Sequence, residues 1–325
     1  MKTPGIVKIV VLIIGFITFV MLFDTITTIF FVTILASLIA IFFVGTANRI
    51  EQRAPGGQKL WISILILAIL GLLGIITWIS SGPVISQFEE LGPQITPAIM
   101  QVNQWLSNVG RGQRIVDATG ELDLSAYIPD LDGFVMTVIE SIAIFFVILV
   151  AGVFLSYEPK KYRDGLLFFS KDKKRTARTI DKLQDRLYRW TIGRLAEMAV
   201  VFVLTWIGLA ILGVPLAFLL AFITGILSFI PNFGPIASGA LAAVVGLSVS
   251  PMMAVWVIVV FIIVQLLESN LITPLIERKA VYLPPGLIII TQAFMGIAFG
   301  ILGLIVATPI VVGAVVILKE YYDTK

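Results

Sequence analysis

The chain reads as an all-α integral membrane protein, and three observations predict it. Apolar residues fill 58% of its 325 positions and charged residues only 13%, against roughly 25% charged in soluble domains. The apolar residues gather in runs near 6–23, 25–44, 60–82, 134–157, 195–213, 216–230, 236–249, 251–273, 286–298 and 300–318. The charges between those runs segregate by sign as a topology signal requires. With neither cysteine nor histidine present, disulfides, thiol chemistry, Cys/His metal sites and imidazole proton relays are excluded. Any ion or proton must be handled by carboxylates or backbone oxygens, and no cofactor or metal is expected.

Residues 1–82 are expected to form a three-span unit. The first run, behind Lys2 and Lys8, lacks a small-residue cleavage site and is followed by a second long run, so it reads as an uncleaved anchor. Asp24 is expected to mark a tight turn between the first two spans. The following loop is basic (Arg49, Arg53 and Lys59 against Glu51), whereas residues 83–133 carry a net charge of −5. In that segment Phe88, Leu91, Ile95, Ile99, Val102 and Leu106 recur at helical spacing, a stripe that needs a partner on its own subunit or a neighbour. The fourth span, 134–157, carries Glu140, expected to face headgroups or a subunit contact.

Residues 158–194 hold twelve bases against five acids, with a stripe of Ile180, Leu183, Leu187 and Trp190. This pattern predicts an amphipathic cytoplasmic helix lying on the anionic lipid of the inner leaflet. Nucleic-acid binding is not expected, since no recognition motif accompanies the charge. Basic loops stay inside, so both termini, 45–59 and 158–194 are expected in the cytoplasm and 83–133 outside the cell membrane.

The carboxy-terminal core, 195–325, contains two breaks. Runs 216–230 and 236–249 flank PNFGP. At about 1.5 Å per residue each run reaches only about 22 Å, short of the ~30 Å hydrocarbon. Pro231 lacks an N–H and disfavours helix at Ile230, Gly234 permits unusual backbone, and Pro235 suits a helix start. Unpaired backbone survives at membrane depth only inside protein or against water, so 216–249 reads as a re-entrant hairpin. The alternative is a surface loop joining two short helices. A second hairpin, 286–318, turns at Gly296, Gly300 and Gly303 and is broken again at Thr308-Pro309. The Thr308 hydroxyl is expected to pair with backbone that Pro309 leaves free. By parity the hairpins open to opposite sides, which suggests an inverted repeat.

Glu140, Glu197 and Glu268 lie within apolar segments, where an acid is costly unless it meets a partner or a cavity. Arg194 precedes Glu197 by three residues and is expected to pair with it near the inner surface. Gln265 and Glu268 share a helix face with Ser269, Asn270 lies on another, and Pro274 frees carbonyls nearby. Glu268 is weighed as a substrate or cation site, a structural bridge, or an interfacial group.

These residues resemble the autoinducer-2 exporter family. The resemblance rests on Gly213-Val214-Pro215, on Ile230-Pro231 with Gly234-Pro235, on Glu268, Asn270 and Pro274, on Pro284-Pro285, and on Gly300, Gly303, Ala307 and Pro309. Upstream it holds mainly in layout, with Gly45-Thr46 where the family often has proline closing its second span. The resemblance implies a transporter of about eight transmembrane segments including two re-entrant hairpins, and a homo-oligomer. It implies export of autoinducer-2 or sodium/proton antiport.

The expected function is a secondary transporter, not an enzyme, exporting a small polar or anionic solute. Ser228, Asn232, Gly234, Gln265, Glu268 and Asn270 are the expected solute or ion contacts. Pro231, Pro235, Pro274, Gly296, Gly300, Gly303 and Pro309 would shape the hairpins. No G-x-x-x-x-G-K-[ST] motif is present, so the energy would come from a gradient. The alternatives are a sodium/proton antiporter using Glu268, and a non-transporting scaffold or passive pore.

Overall fold

A computed structural model describes residues 4–71, 74, 131–274 and 283–322, and its regular elements there are all helical. They are α1 (Pro4–Glu51), α2 (Gln58–Gly71), α3 (Leu131–Tyr157), α4 (Pro159–Phe168), α5 (Lys173–Ile211), α6 (Ala217–Leu227), α7 (Phe233–Val249), α8 (Pro251–Leu267) and α9 (Pro285–Tyr322). Among the described residues four stretches are long and apolar enough to cross a bilayer: Thr25–Glu51, Lys173–Ile211, Pro251–Ile272 and Pro285–Glu320. Ala143–Tyr157 and Pro159–Phe168 pass the same test of length and composition only when taken together, and they are bent by 82° at the break between them. The apolar stripe of residues 88–106 and the side chain of Glu140 lie outside the described set.

Two expectations are corrected. No turn occurs at Asp24, because α1 runs unbroken for 48 residues. Sharp kinks come from proline, paired glycine or bulges, and nothing of that kind lies between Gly15 and Gly45; one acid does not end a helix. The stripe on residues 180–190 does not lie on lipid either. Leu187 and Trp190 are buried in a core shared with α1 and α9, and Leu183 packs against it. These residues belong to α5, which continues into the apolar run as one 39-residue helix.

α5 is the element the others are built on, touching α1, α4, α6, α8 and α9. It starts cleanly because the Asp172 side chain accepts from the Arg175 N–H at 3.0 Å, satisfying one of the donors a helix start leaves open. Its lower half joins the core of Phe31, Leu35, Ile148, Met295 and Val306. Its upper end places Leu209 in a second core with Leu219, Leu220, Ala242, Val245 and Val257 from α6, α7 and α8. The turn from α5 to α6 needs positive φ at Gly213 (69°) and Leu216 (60°).

α1 meets α5 through Tyr188. Its ring lies where a Cβ on Gly45 would stand, its hydroxyl is 3.3 Å from Thr46 Oγ1, and the Arg49 guanidinium stacks 3.8 Å from the ring centroid. Gly45-Thr46, the one visible departure from the resembled pattern, is thus accounted for: a larger residue at 45 would displace that ring.

Candidate functional site

Both expected interruptions are present as backbone breaks. α6 and α7, 11 and 17 residues long, reach about 16 and 26 Å. Between them Asn232 adopts φ 66°, ψ −50°, and the Phe233 N–H reaches back to the Pro231 carbonyl at 2.8 Å. That is a γ-turn of the rare positive-φ kind. Gly234 is required by the close approach of the two arms, since a Cβ there would overlap the Leu227 carbonyl. In α9 the chain doubles back at Gly300, φ 63° and ψ −148°. A Cβ on Gly303 would overlap the Met295 carbonyl, and one on Gly296 would press on Leu304.

The two tips pack on one core. Phe229 stacks edge-on against Trp190 at 5.8 Å, and Phe299 meets Phe31 likewise at 5.2 Å. Phe229 and Phe299 both contact the cluster containing Trp190, Phe31, Met295 and Val306.

A buried polar cluster stands where the first tip meets α5. Arg194 Nη1 lies 2.7 Å from Glu197 Oε2, and both residues are buried, 8% and 3% exposed. The same Arg194 nitrogen donates to the Ser228 carbonyl at 3.4 Å. That carbonyl belongs to the C-terminal end of α6, where helix carbonyls lack partners and carry partial negative charge. Glu268, 5% exposed, brings its carboxyl against that of Glu197 with Arg194 nearby. Its Oε2 finds no donor among the described residues. Glu268 opens a π-turn, Glu268–Ile272, at the end of α8, a distortion frequent at functional sites. Arg194 thus pairs with Glu197, and Glu268 meets Glu197 in turn, so two acids and one guanidinium lie together in a low-dielectric setting, an arrangement that draws a further cation or proton.

The expected contacts are only partly brought together. Glu268 and the backbone of Ser228 join the cluster, whereas the Ser228 hydroxyl donates within its own helix to the Gly225 carbonyl at 2.7 Å. Gly234 serves arm packing. Gln265 is half-buried, and Asn232 and Asn270 are exposed, with the Asn270 amide donating to the Leu266 carbonyl at 2.8 Å. Ser269 is exposed beside buried Glu268. Thr308 corrects a further expectation: its hydroxyl is buried and unpaired, not bonded to backbone freed by Pro309.

One residue was missed. Gln292, fully buried, leaves both amide atoms unpaired. It lies one helical turn before Gly296, on the arm that approaches Leu304. The only signal in sequence is a lone amide in an apolar run.

Fold and site together define a multispan all-α membrane protein with broken helices and charge buried at its centre, the build of a transporter. The comparisons agree: the pattern described as AI-2E family transporter matches residues 8–323, and the chain belongs to that family. A Bacillus subtilis protein described as "Putative transport protein YueF" is 28% identical over 316 residues, 88% of this chain and 82% of that protein. A Mycobacterium tuberculosis protein, "Putative transport protein MT0215", is 36% identical over 105 residues, 32% of this chain and 29% of its own length. The chain is thus a membrane transporter, for which a small-molecule solute is implied.

Proposed function

We propose that the protein is a secondary active exporter of a small polar or anionic solute, the autoinducer-2 signal among the candidates, with Glu268 as its ion-coupling group. The observation that carries this is the Arg194–Glu197–Glu268 cluster bonded to the end carbonyl of α6. Two ionised carboxylates against one guanidinium leave a net negative charge, which sodium or a proton neutralises. Neutralising it changes the pull on Arg194 and hence on the first hairpin tip. Solute would pass between the two tips, reached through Asn232, Gln265 and Asn270 at the exposed rim, with Gln292 and Thr308 as buried polar groups behind. The break at Pro231–Gly234 and the reversal at Gly300, with Gly296 and Gly303 beside it, allow both hairpins to sit at membrane depth without continuous helix; the break expected at Thr308-Pro309 is absent, Pro309 lying inside α9.

In this reading the protein is a homo-oligomer in the cell membrane with both termini cytoplasmic, the acidic 83–133 segment outside and the two hairpins opening to opposite sides. The test is flux in proteoliposomes carrying an internal pH dye. Solute efflux that depends on a sodium or proton gradient and is lost in Glu268→Gln supports it. Identical, ungated flux in both directions with no counter-ion marks a passive pore and overturns it. The second reading, a sodium/proton antiporter, is favoured by the same paired acids. It predicts a sodium-driven pH change without any solute, abolished by Glu268→Gln.

A further inference from the structure

α4 is a surface element that the transport site does not use. It is a ten-residue helix that leaves the Ala143–Tyr157 span across a single residue, Glu158, and turns through 82°. None of its residues is buried. Pro159, Tyr162, Leu166 and Phe169 recur at spacings of three, four and three, which sets them on one face. Along that face Tyr162 is 50%, Leu166 61% and Phe169 87% exposed. The exposure does not come from a loose helix. Its other flank is fastened to α5 by Arg163 to Asp181 at 2.9 Å, and just past its end Ser170 meets Thr176 at 2.6 Å.

Three facts select the occupant of the uncovered face. The helix begins where the apolar helix α3 ends, which for a helix that crosses the bilayer is the level of the headgroups. The 82° turn lays it along the membrane plane for a span near the bilayer normal. Exposed bases surround it: Lys160 and Lys161 on the helix, then Lys171, Lys173 and Lys174. Aromatic and aliphatic residues on one face with lysines alongside are what an interfacial helix presents to anionic lipid. The equivalent stripe on α5 is already consumed by the protein core, so α4 is the part of this basic region with apolar surface to offer.

We propose that Pro159–Phe169 is an interfacial anchor that sets Tyr162, Leu166 and Phe169 into the headgroup layer of an anionic leaflet. The proposal requires only that the preceding helix spans the membrane and stands apart from the transport mechanism.

The natural absence of cysteine makes the test direct. Leu166→Cys and, on the opposite face, Asp164→Cys are introduced one at a time into the full chain. Each is labelled with an environment-sensitive fluorophore and reconstituted in vesicles of phosphatidylcholine with or without phosphatidylglycerol. The label at 166 should emit blue-shifted light and be quenched by nitroxide lipid several-fold more than the label at 164. Lys160→Gln with Lys161→Gln should reduce that quenching in the anionic vesicles alone. Water-like emission at 166, equal quenching at the two positions, or quenching independent of phosphatidylglycerol overturns the proposal. So does emission at 166 that shifts on dilution with unlabelled protein, which marks a second copy of the chain on this face.

Discussion

Arg194→Met is the perturbation that most directly interrogates the buried cluster. The substitution keeps length and apolar volume but removes the charge from a side chain 10% exposed, leaving Glu197 at 3% with no counter-charge. Breaking a buried ion pair from one side costs about 3–5 kcal/mol, because the surviving charge stays desolvated and alone. The Ser228 carbonyl loses its donor as well. At a few degrees per kcal/mol for chains of this size, the apparent Tm should fall by on the order of 10 °C. The assay is thermal unfolding of purified protein in detergent, followed by loss of the monodisperse fraction. Two companions sharpen it. Arg194→Met with Glu197→Gln removes both charges and should recover more than half of the loss. Arg189→Met breaks a pair of similar length, 2.8 Å to Asp185, whose side chains are 44% and 45% exposed, and should cost under about 1 kcal/mol. If Arg194→Met shifts Tm no more than Arg189→Met, or the double variant is no more stable than the single, the cluster is not a buried charge assembly and the reasoning fails.

Three further outcomes rest on packing and capping. Gly234→Ala forces a methyl into the Leu227 carbonyl and should destabilise by about 1–3 kcal/mol, whereas Gly286→Ala meets open space and should leave Tm unchanged. Gln292→Leu replaces an amide with two unpaired buried atoms by an apolar side chain of similar size, so Tm should rise, by an amount equivalent to about 1–3 kcal/mol; a fall would mean that the amide has a partner in the working protein. Asp172→Ala deletes the α5 cap and should lower stability by about 1 kcal/mol, read as a lower apparent Tm beside the unaltered chain.

What could be read in the sequence divides along physical lines. The breaks at 231–234 and at Gly300 were legible because proline and glycine act on the backbone locally, whatever surrounds them. The Asp24 turn was misjudged for the converse reason: a polar residue changes solvation without altering helix geometry. Periodicity showed that residues 180–190 have an apolar face but carries no information on whether lipid or protein covers it. Arg194 with Glu197 was legible as an i, i+3 pair, while the bond from Arg194 to Ser228 joins residues 34 apart in sequence and exists only through the fold. The π-turn at Glu268 was invisible, since no residue type in ESNLI marks it.

The position of the cluster bears on how an ion could move a hairpin. Along α5, Trp190 belongs to one apolar core and Leu209 to the other, with Arg194 and Glu197 between them. Displacing the first hairpin tip then strains a few directed polar contacts and spares both cores, whose close packing resists deformation. An ion shifts such an equilibrium only by its difference in affinity for the two arrangements, and the unpaired Glu268 oxygen is where that difference can arise. An ionised Glu268 held against Glu197 is a standing cost in the ion-free state of the site. Removing its charge should therefore relax the structure and abolish coupling at once, a recurrent trade between stability and activity. Glu268→Gln is expected to raise the apparent Tm while ion-coupled flux disappears. A variant that loses flux and stability together would place Glu268 among the residues that merely hold the helices, and the coupling role would have to be sought elsewhere.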